Sequence, residues 1–168
     1  LSNSLGKSMK KVAVPLSSVF IASALAVALL GEFTPEQERN WPQWRGPHAS
    51  GVAPHGNPPL KWAENKNVKW KVKIPGQGSS TPIVWGNRIF VTMAIPTGAK
   101  IKPEKTDSFG MGIIQPTRIN KFALCALDRD TGEIIWKRTL KEDLPSEGIH
   151  PTNTWASNSP VTDGKHVW

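Results

Sequence analysis

The sequence predicts an all-β protein whose short antiparallel strands recur along the chain. Three observations lead to this prediction: short segments of alternating apolar and polar residues, abundant turn-forming residues, and an internal repeat. The 168 residues include 15 prolines, 14 glycines and 8 tryptophans, and they include no tyrosine. So much proline disfavours a helical bundle, because its ring removes a backbone donor and clashes inside a helix. Short strands joined by tight turns fit this composition better.

A leader precedes the predicted domain. Met9-Lys10-Lys11 is followed by the uncharged stretch Val12–Leu30, which contains two Ala-x-Ala sites between Ala24 and Ala28. A basic start, an apolar core and small residues at its end are typical of a secretory signal peptide. We therefore expect residues 1–28 to be a signal peptide that starts at Met9. The alternative is a retained anchor, because an uncharged stretch of this length could just span a bilayer.

Export follows from either reading of the leader. We expect the protein in the periplasm or cell envelope, or outside the cell, and we expect membrane association only through the N-terminal segment.

Residues 29–40 are predicted to be a polar linker, and residues 41–168 the folded domain. The domain opens with an arm, residues 41–59, which begins Trp41-Pro42-Gln43-Trp44 and is rich in proline. Its tryptophans need packing partners, so we expect the arm to lie against the domain.

The strands are predicted from alternation and from turn residues. Lysines alternate with apolar residues in the first segment, and Gly86-Asn87 forms a two-residue hairpin turn between the second and the third. Longer loops over 93–118 and 141–153 interrupt the pattern, and 156–168 is predicted as a strand, a turn and a strand. The five strands are predicted over Val68–Ile74, Ser80–Trp85, Arg88–Thr92, Lys121–Leu127 and Ile134–Thr139. The residues expected to be buried, or to face a neighbouring sheet, are Trp70, Ile83, Trp85, Ile89, Val91, Leu124, Leu127, Ile135 and Trp136.

Two segments occur twice in the sequence. Ser80–Phe90 lines up with Asn158–Trp168, and each copy has a polar residue before proline, an apolar strand and a glycine turn. Val68–Lys71 matches Ile134–Lys137, with a tryptophan at the same place in both. A four-stranded unit that recurs radially is the pattern of a β-propeller. The two long loops account for a spacing greater than the usual 40–50 or so residues of a blade.

One copy carries a specific signature. The run Ala126-Leu127-Asp128-Arg129-Asp130-Thr131-Gly132-Glu133-Ile134-Ile135-Trp136-Lys137 resembles the repeats of the pyrroloquinoline-quinone-like (PQQ-like) propeller family. There Ala-Leu-Asp, Thr-Gly and Trp recur at these spacings. Asp128 can accept backbone bonds within the turn, Gly132 can adopt a positive φ, and Trp136 offers a flat docking surface. The residues assigned to the structural signature are Asp128, Thr131, Gly132, Trp136 and Trp70.

The resemblance covers residues 41–168 and includes secreted, BamB-like members of the family. It implies a β-propeller of four-stranded antiparallel blades, of which this chain supplies an incomplete N-terminal part of about one and a half blades. It also implies an exported, non-catalytic binding or scaffold module, similar to outer-membrane protein assembly factors. Such a module would bind protein partners through its loops and strand edges.

The alternative function within the family is a quinoprotein oxidoreductase, a PQQ-dependent alcohol or sugar dehydrogenase that carries PQQ and Ca²⁺. The sequence contains neither a Cys-Cys pair nor the dense carboxylate and amide cluster that calcium prefers. We therefore assign no catalytic, cofactor-binding or metal-binding residues and expect no cofactor within these 168 residues. His48, His55, His150 and His166 lack metal-ligand spacing.

The charge of the chain limits the classes of molecule that it could bind, and its one cysteine has two possible roles. The net charge is +8, but three of the lysines lie in the leader and no basic run follows it. We therefore exclude a nucleic-acid partner. Cys125, the one cysteine, lies in the apolar run 122–127. It is predicted to be a small core residue, with a reactive or intermolecular thiol as the alternative.

Overall fold

The computed structural model describes residues 34–98, 100–102 and 112–168. The predicted signal peptide over 1–28 and its start at Met9 lie outside these residues, as does the first part of the linker. The described residues form one antiparallel sheet of four strands in the order β1-β2-β3-β4. Among them, one α-helix of four residues precedes the sheet. The predicted β class is confirmed.

The short helix, α1, spans Pro35–Glu38. A capping box starts it: the Gln37 amide donates to Thr34 Oγ1 at 3.3 Å, and the Thr34 amide donates to Gln37 Oε1 at 2.8 Å. Proline occupies the first turn, where its missing N–H costs nothing. Nowhere in the described ranges is there a helix long and apolar enough to cross a bilayer.

The start of the arm pairs with the sheet. Trp41 pairs with Val84 through two backbone hydrogen bonds of 2.9 and 2.8 Å. Residues 51–69 are all exposed, and so are the side chains of Trp44 (63%) and Trp62 (67%). The expectation that the arm packs against the domain is therefore correct for Trp41 and wrong for Trp44.

Four of the five predicted strands form the sheet. β1 spans Ile83–Trp85, β2 spans Arg88–Thr97, β3 spans Ile119–Asp128 and β4 spans Ile134–Asp143. Trp85 pairs with Arg88, so the two-residue turn at Gly86-Asn87 is confirmed. β2 and β4 are longer than predicted and extend into segments assigned to loops. Pro96, near the end of β2, pairs with Asn120 of β3 and lies beyond the part of β2 that pairs with β1. A proline has no backbone N–H, and on the side of β2 away from β3 no strand among the described residues needs one at this position.

The prediction of a strand over Val68–Ile74 is wrong. The segment pairs with no strand among the described residues, and its alternation is reflected in burial only in part: Trp70 and Ile74 are half-buried, whereas Val68, Val72 and the lysines are exposed. It lies across the turn between β3 and β4, where the Trp70 Nε1–H donates to the Arg129 carbonyl at 2.9 Å. Side-chain docking holds this segment in place of strand pairing.

The sheet buries a hydrophobic cluster on each face. One cluster contains Val91, Met93, Ala123, Cys125 and Leu127, and the other contains Ile83, Phe90, Leu124 and Ala126. The predicted core is largely correct, because Ile83, Val91, Leu124 and Leu127 are buried and Trp70, Trp85, Ile89 and Trp136 are half-buried. Ile135 is the exception, since it is 47% exposed. It is the extra residue of a β-bulge, because Ala126 pairs with Trp136 while Leu127 pairs with Ile134.

The predicted strand, turn and strand over 156–168 is present in outline. Thr162 bridges Val167 across a tight turn, and the pair lies outside the main sheet. Val167 packs against the cluster formed by Ile83, Phe90, Leu124 and Ala126. The end of the described chain therefore covers part of that face.

Candidate functional site

Three residues of the signature build the turn between β3 and β4. Asp128 Oδ1 accepts backbone hydrogen bonds from Asp130 at 2.8 Å and from Thr131 at 2.9 Å. The bond from the Thr131 amide is the main cause of a lowered pKa for Asp128. The other carboxylate oxygen accepts from Asn87 Nδ2 at 2.9 Å, so the same aspartate links this turn to the β1–β2 turn.

A tryptophan covers the glycine of this turn. Gly132 has φ +77°, and a Cβ added there would lie 2.6 Å from the indole ring of Trp70. Trp70, predicted as a strand residue, thus joins Asp128, Thr131 and Gly132 at one place. Trp136 lies on β4 and packs elsewhere, with its ring centroid 6.0 Å from that of Phe90.

The hairpin at 162–167 repeats this arrangement. Asp163 Oδ1 accepts backbone bonds from Lys165 at 2.8 Å and from His166 at 2.7 Å. These bonds, the one from His166 first, lower the pKa of Asp163 to about 2. Gly164 has φ +91° and lies directly beneath the indole of Trp85. A third tryptophan, Trp41, covers Gly46 in the arm.

The two copies of the longer repeat contact each other. The Thr81 amide donates to Ser159 Oγ at 2.9 Å, and these two residues are equivalent in the alignment of Ser80–Phe90 with Asn158–Trp168. The Ser79 amide donates to the Ala156 carbonyl at 3.0 Å, and Thr92 Oγ1 donates to the Asn158 carbonyl at 3.0 Å. The second copy therefore begins alongside the first.

A groove lies at the opposite end of the sheet from the signature turn. Two backbone hydrogen bonds of 2.8 and 3.0 Å join Ile114 of one long loop to Ile149 of the other. Trp155 Nε1 donates to the Glu147 carbonyl at 3.1 Å and fixes the second loop on itself. The resulting loop groove has a volume of about 390 Å³. Its lining is mostly polar and includes Phe122, Glu147, Asn153, Trp155, Ser157 and Asn158.

Asn40 is a structural residue that sequence reasoning missed. It is 8% exposed, its Oδ1 accepts from the Gly86 amide at 2.7 Å, and its Nδ2 donates to the Glu36 carbonyl at 2.7 Å. Its position in a polar stretch gave no sign of burial. Gly164 was easier to find, because the repeat alignment places a glycine turn there.

The chemistry available within the described residues is limited. Cys125 is fully buried, and burial raises the pKa of its thiol. The prediction that Cys125 is a core residue is confirmed. In the part of the chain that the structure describes, no group of three or more His, Cys, Asp or Glu side chains is placed to hold a metal ion. No family model, characterised protein or solved structure matches the chain.

Proposed function

We propose that this chain contributes the first blade, and the start of the second, to an exported PQQ-like β-propeller that binds proteins and does not catalyse a reaction. β1–β4 are the strands of the first blade, and the hairpin at 162–167 belongs to the second. The observation that carries the proposal is the hydrogen bond between Thr81 and Ser159, which are equivalent positions of the two repeat copies. In a ring of blades, equivalent positions of neighbouring blades lie side by side.

The tryptophan contacts support the same arrangement. Trp85 at the end of β1 covers Gly164 of the second copy, which ties the proposed first blade to the next. Trp136 lies on the same apolar face and is half-buried, beside Phe90 and Val167. A large aromatic surface left partly open on this face suits the docking of further strands of the second blade.

The loop groove is the partner site that we favour within this proposal. Loops held by a rigid sheet commonly carry binding residues, and this groove is polar with two aromatic rings in its wall. The edge of β4 is less suitable. It carries two bulges, at Ile135 and at Leu140, and several charged side chains, and both features hinder pairing with another strand.

Site-specific photo-crosslinking in intact cells tests this function. A photoreactive amino acid at Glu147 or Asn153 is expected to form one discrete adduct with an envelope protein, identified by mass spectrometry. The matched control is the exposed Lys61, on the arm side and away from the groove, where we expect no adduct. Absence of an adduct at both groove positions, or equal labelling at Lys61, would contradict the proposal.

A ligand test separates the binding module from the quinoprotein alternative. Only a ligand that binds the folded state raises the melting temperature. Adding PQQ together with Ca²⁺ is therefore expected to leave the Tm unchanged within about 1 °C. A saturable rise of several degrees, absent when Ca²⁺ or PQQ is added alone, would favour the PQQ-dependent dehydrogenase instead.

A further inference from the structure

Two histidines of the arm converge on one carboxylate. Glu38, the last residue of α1, accepts from His48 Nε2 through Oε1 at 3.1 Å and is 3.2 Å from His55 Nε2 through Oε2. Its side chain is 28% exposed, and those of the histidines are 40% and 45% exposed. Each carboxylate oxygen thus holds a different part of the arm.

This cluster adjoins the junction between the arm and the sheet. Two residues after Glu38, Asn40 accepts from the Gly86 amide, and Trp41 then pairs with Val84 on the free edge of β1. The Pro42 carbonyl accepts from the Thr162 amide at 2.9 Å. Any change that loosens the arm at Glu38 therefore affects the backbone bonds that cover β1.

Two cations adjoin part of the cluster. Glu38 and His55 line a cavity of about 450 Å³, together with the cations Arg39 from the end of α1 and Arg129 from the turn between β3 and β4. Glu38 is the sole acid among the described residues that line it. The other acid of α1, Glu36, is exposed. The hydrogen bonds from His55 and His48 lower the pKa of Glu38, so its carboxylate keeps its charge into mildly acidic solution.

We propose that Glu38, His48 and His55 form a pH-sensitive clasp that holds the arm against the β1 edge most tightly in mildly acidic solution. A histidine side chain changes charge between about pH 5 and 8. When both imidazoles are charged, their bonds to Glu38 are charge-assisted and therefore stronger. The inference does not depend on the proposed propeller function.

In strong acid a further fall in pH loosens the arm instead of tightening it, because Glu38 loses its charge. Because the pKa of Glu38 is lowered in the folded state, the stabilisation from its charge is present above the ordinary carboxyl range. It is lost as the pH falls through the lowered value. Arm protection should therefore be greatest in mildly acidic solution, decline as the histidines lose their charge, and decline again in strong acid as Glu38 is protonated.

Amide hydrogen exchange of the full chain, corrected for the intrinsic rate at each pH, measures the clasp. The Trp41, Val84 and Gly86 amides report on it, because each donates across the junction. Their protection is expected to fall by about threefold to fivefold between pH 5.5 and pH 8, since two partly exposed pairs lose charge assistance. The Cys125 amide in the core of β3 serves as the internal reference and should not change.

Three variants complete the experiment. Glu38→Gln keeps the shape of the side chain without its charge, and it should leave protection constant within about twofold over this pH range. His55→Gln should retain only part of the pH dependence. His150→Gln, which changes an exposed histidine outside the arm, should keep the wild-type profile. A flat profile in the wild type, or an unchanged profile in Glu38→Gln, would overturn the proposal.

Discussion

Replacing Leu127 by alanine is expected to destabilise the fold by about 3 kcal/mol. Leu127 is 2% exposed and packs in the cluster with Val91, Met93, Ala123 and Cys125. Deleting a buried leucine side chain removes its transfer free energy and leaves a cavity, which together cost roughly 2–5 kcal/mol. The neighbouring strands are paired along their length, so we expect little collapse of the site. Urea unfolding followed by circular dichroism gives the change in the free energy of unfolding.

Leu140→Ala is the matched control. The same substitution is made on β4, the strand adjacent to β3, but Leu140 is 65% exposed. It should change the free energy of unfolding by no more than about 0.5 kcal/mol. Equal effects of the two substitutions would contradict the assignment of the core. A larger effect of Leu140→Ala would show that β4 is covered in solution by a surface that the described residues do not provide.

β3 shows why an apolar run could predict a strand correctly. β3 lies between two neighbours and has both faces covered, so its run from Phe122 to Leu127 is almost continuously apolar. The turns were also predictable, because Gly86-Asn87 and the Asp128-to-Gly132 turn use residues that such turns require. These signals are local and need no knowledge of the rest of the fold.

Val68–Ile74 shows where local signals fail. Its alternation of lysines with apolar residues is that of a half-buried strand, and Trp70 and Ile74 do turn towards the domain. A strand also needs a partner, and which segment pairs with which depends on the whole chain. Here β3 occupies one edge of β2 along its whole length, and β1 together with the bridge from Gln77 to Ala94 occupies parts of the other edge. The segment therefore docks by side chains, and the period of its sequence is the same as that of a true strand.

The candidate sites depend on contacts between distant residues. The alignment of the two repeat copies predicted that Thr81 and Ser159 are equivalent, but not that they touch. Likewise, neither histidine of the clasp has a recognisable spacing from Glu38. Both arrangements arise when turns and bridges bring separate segments together, so composition and periodicity alone could not reveal them.

Gly132→Ala is expected to destabilise the fold by about 3 kcal/mol, and it tests the contact between Trp70 and the signature turn. Gly132 has φ +77°, a conformation that costs an L-residue roughly 1–2 kcal/mol. The new methyl group would also lie 2.6 Å from the Trp70 ring, so the indole must move. Overpacking of this kind adds roughly 1–3 kcal/mol. The free energy of unfolding is again measured with urea and circular dichroism.

Gly86→Ala separates the two contributions to the Gly132 effect. Gly86 also has a positive φ, +56°, but an added Cβ would meet nothing within 4 Å. This control should cost only the backbone penalty, roughly 1–2 kcal/mol. In a Trp70→Ala background the methyl group at Gly132 has room, so the effect of Gly132→Ala should fall to the same value. If the two glycine substitutions cost the same in the wild-type background, the indole of Trp70 does not rest on Gly132 in solution. The segment Val68–Ile74 would then lack this contact with the turn between β3 and β4.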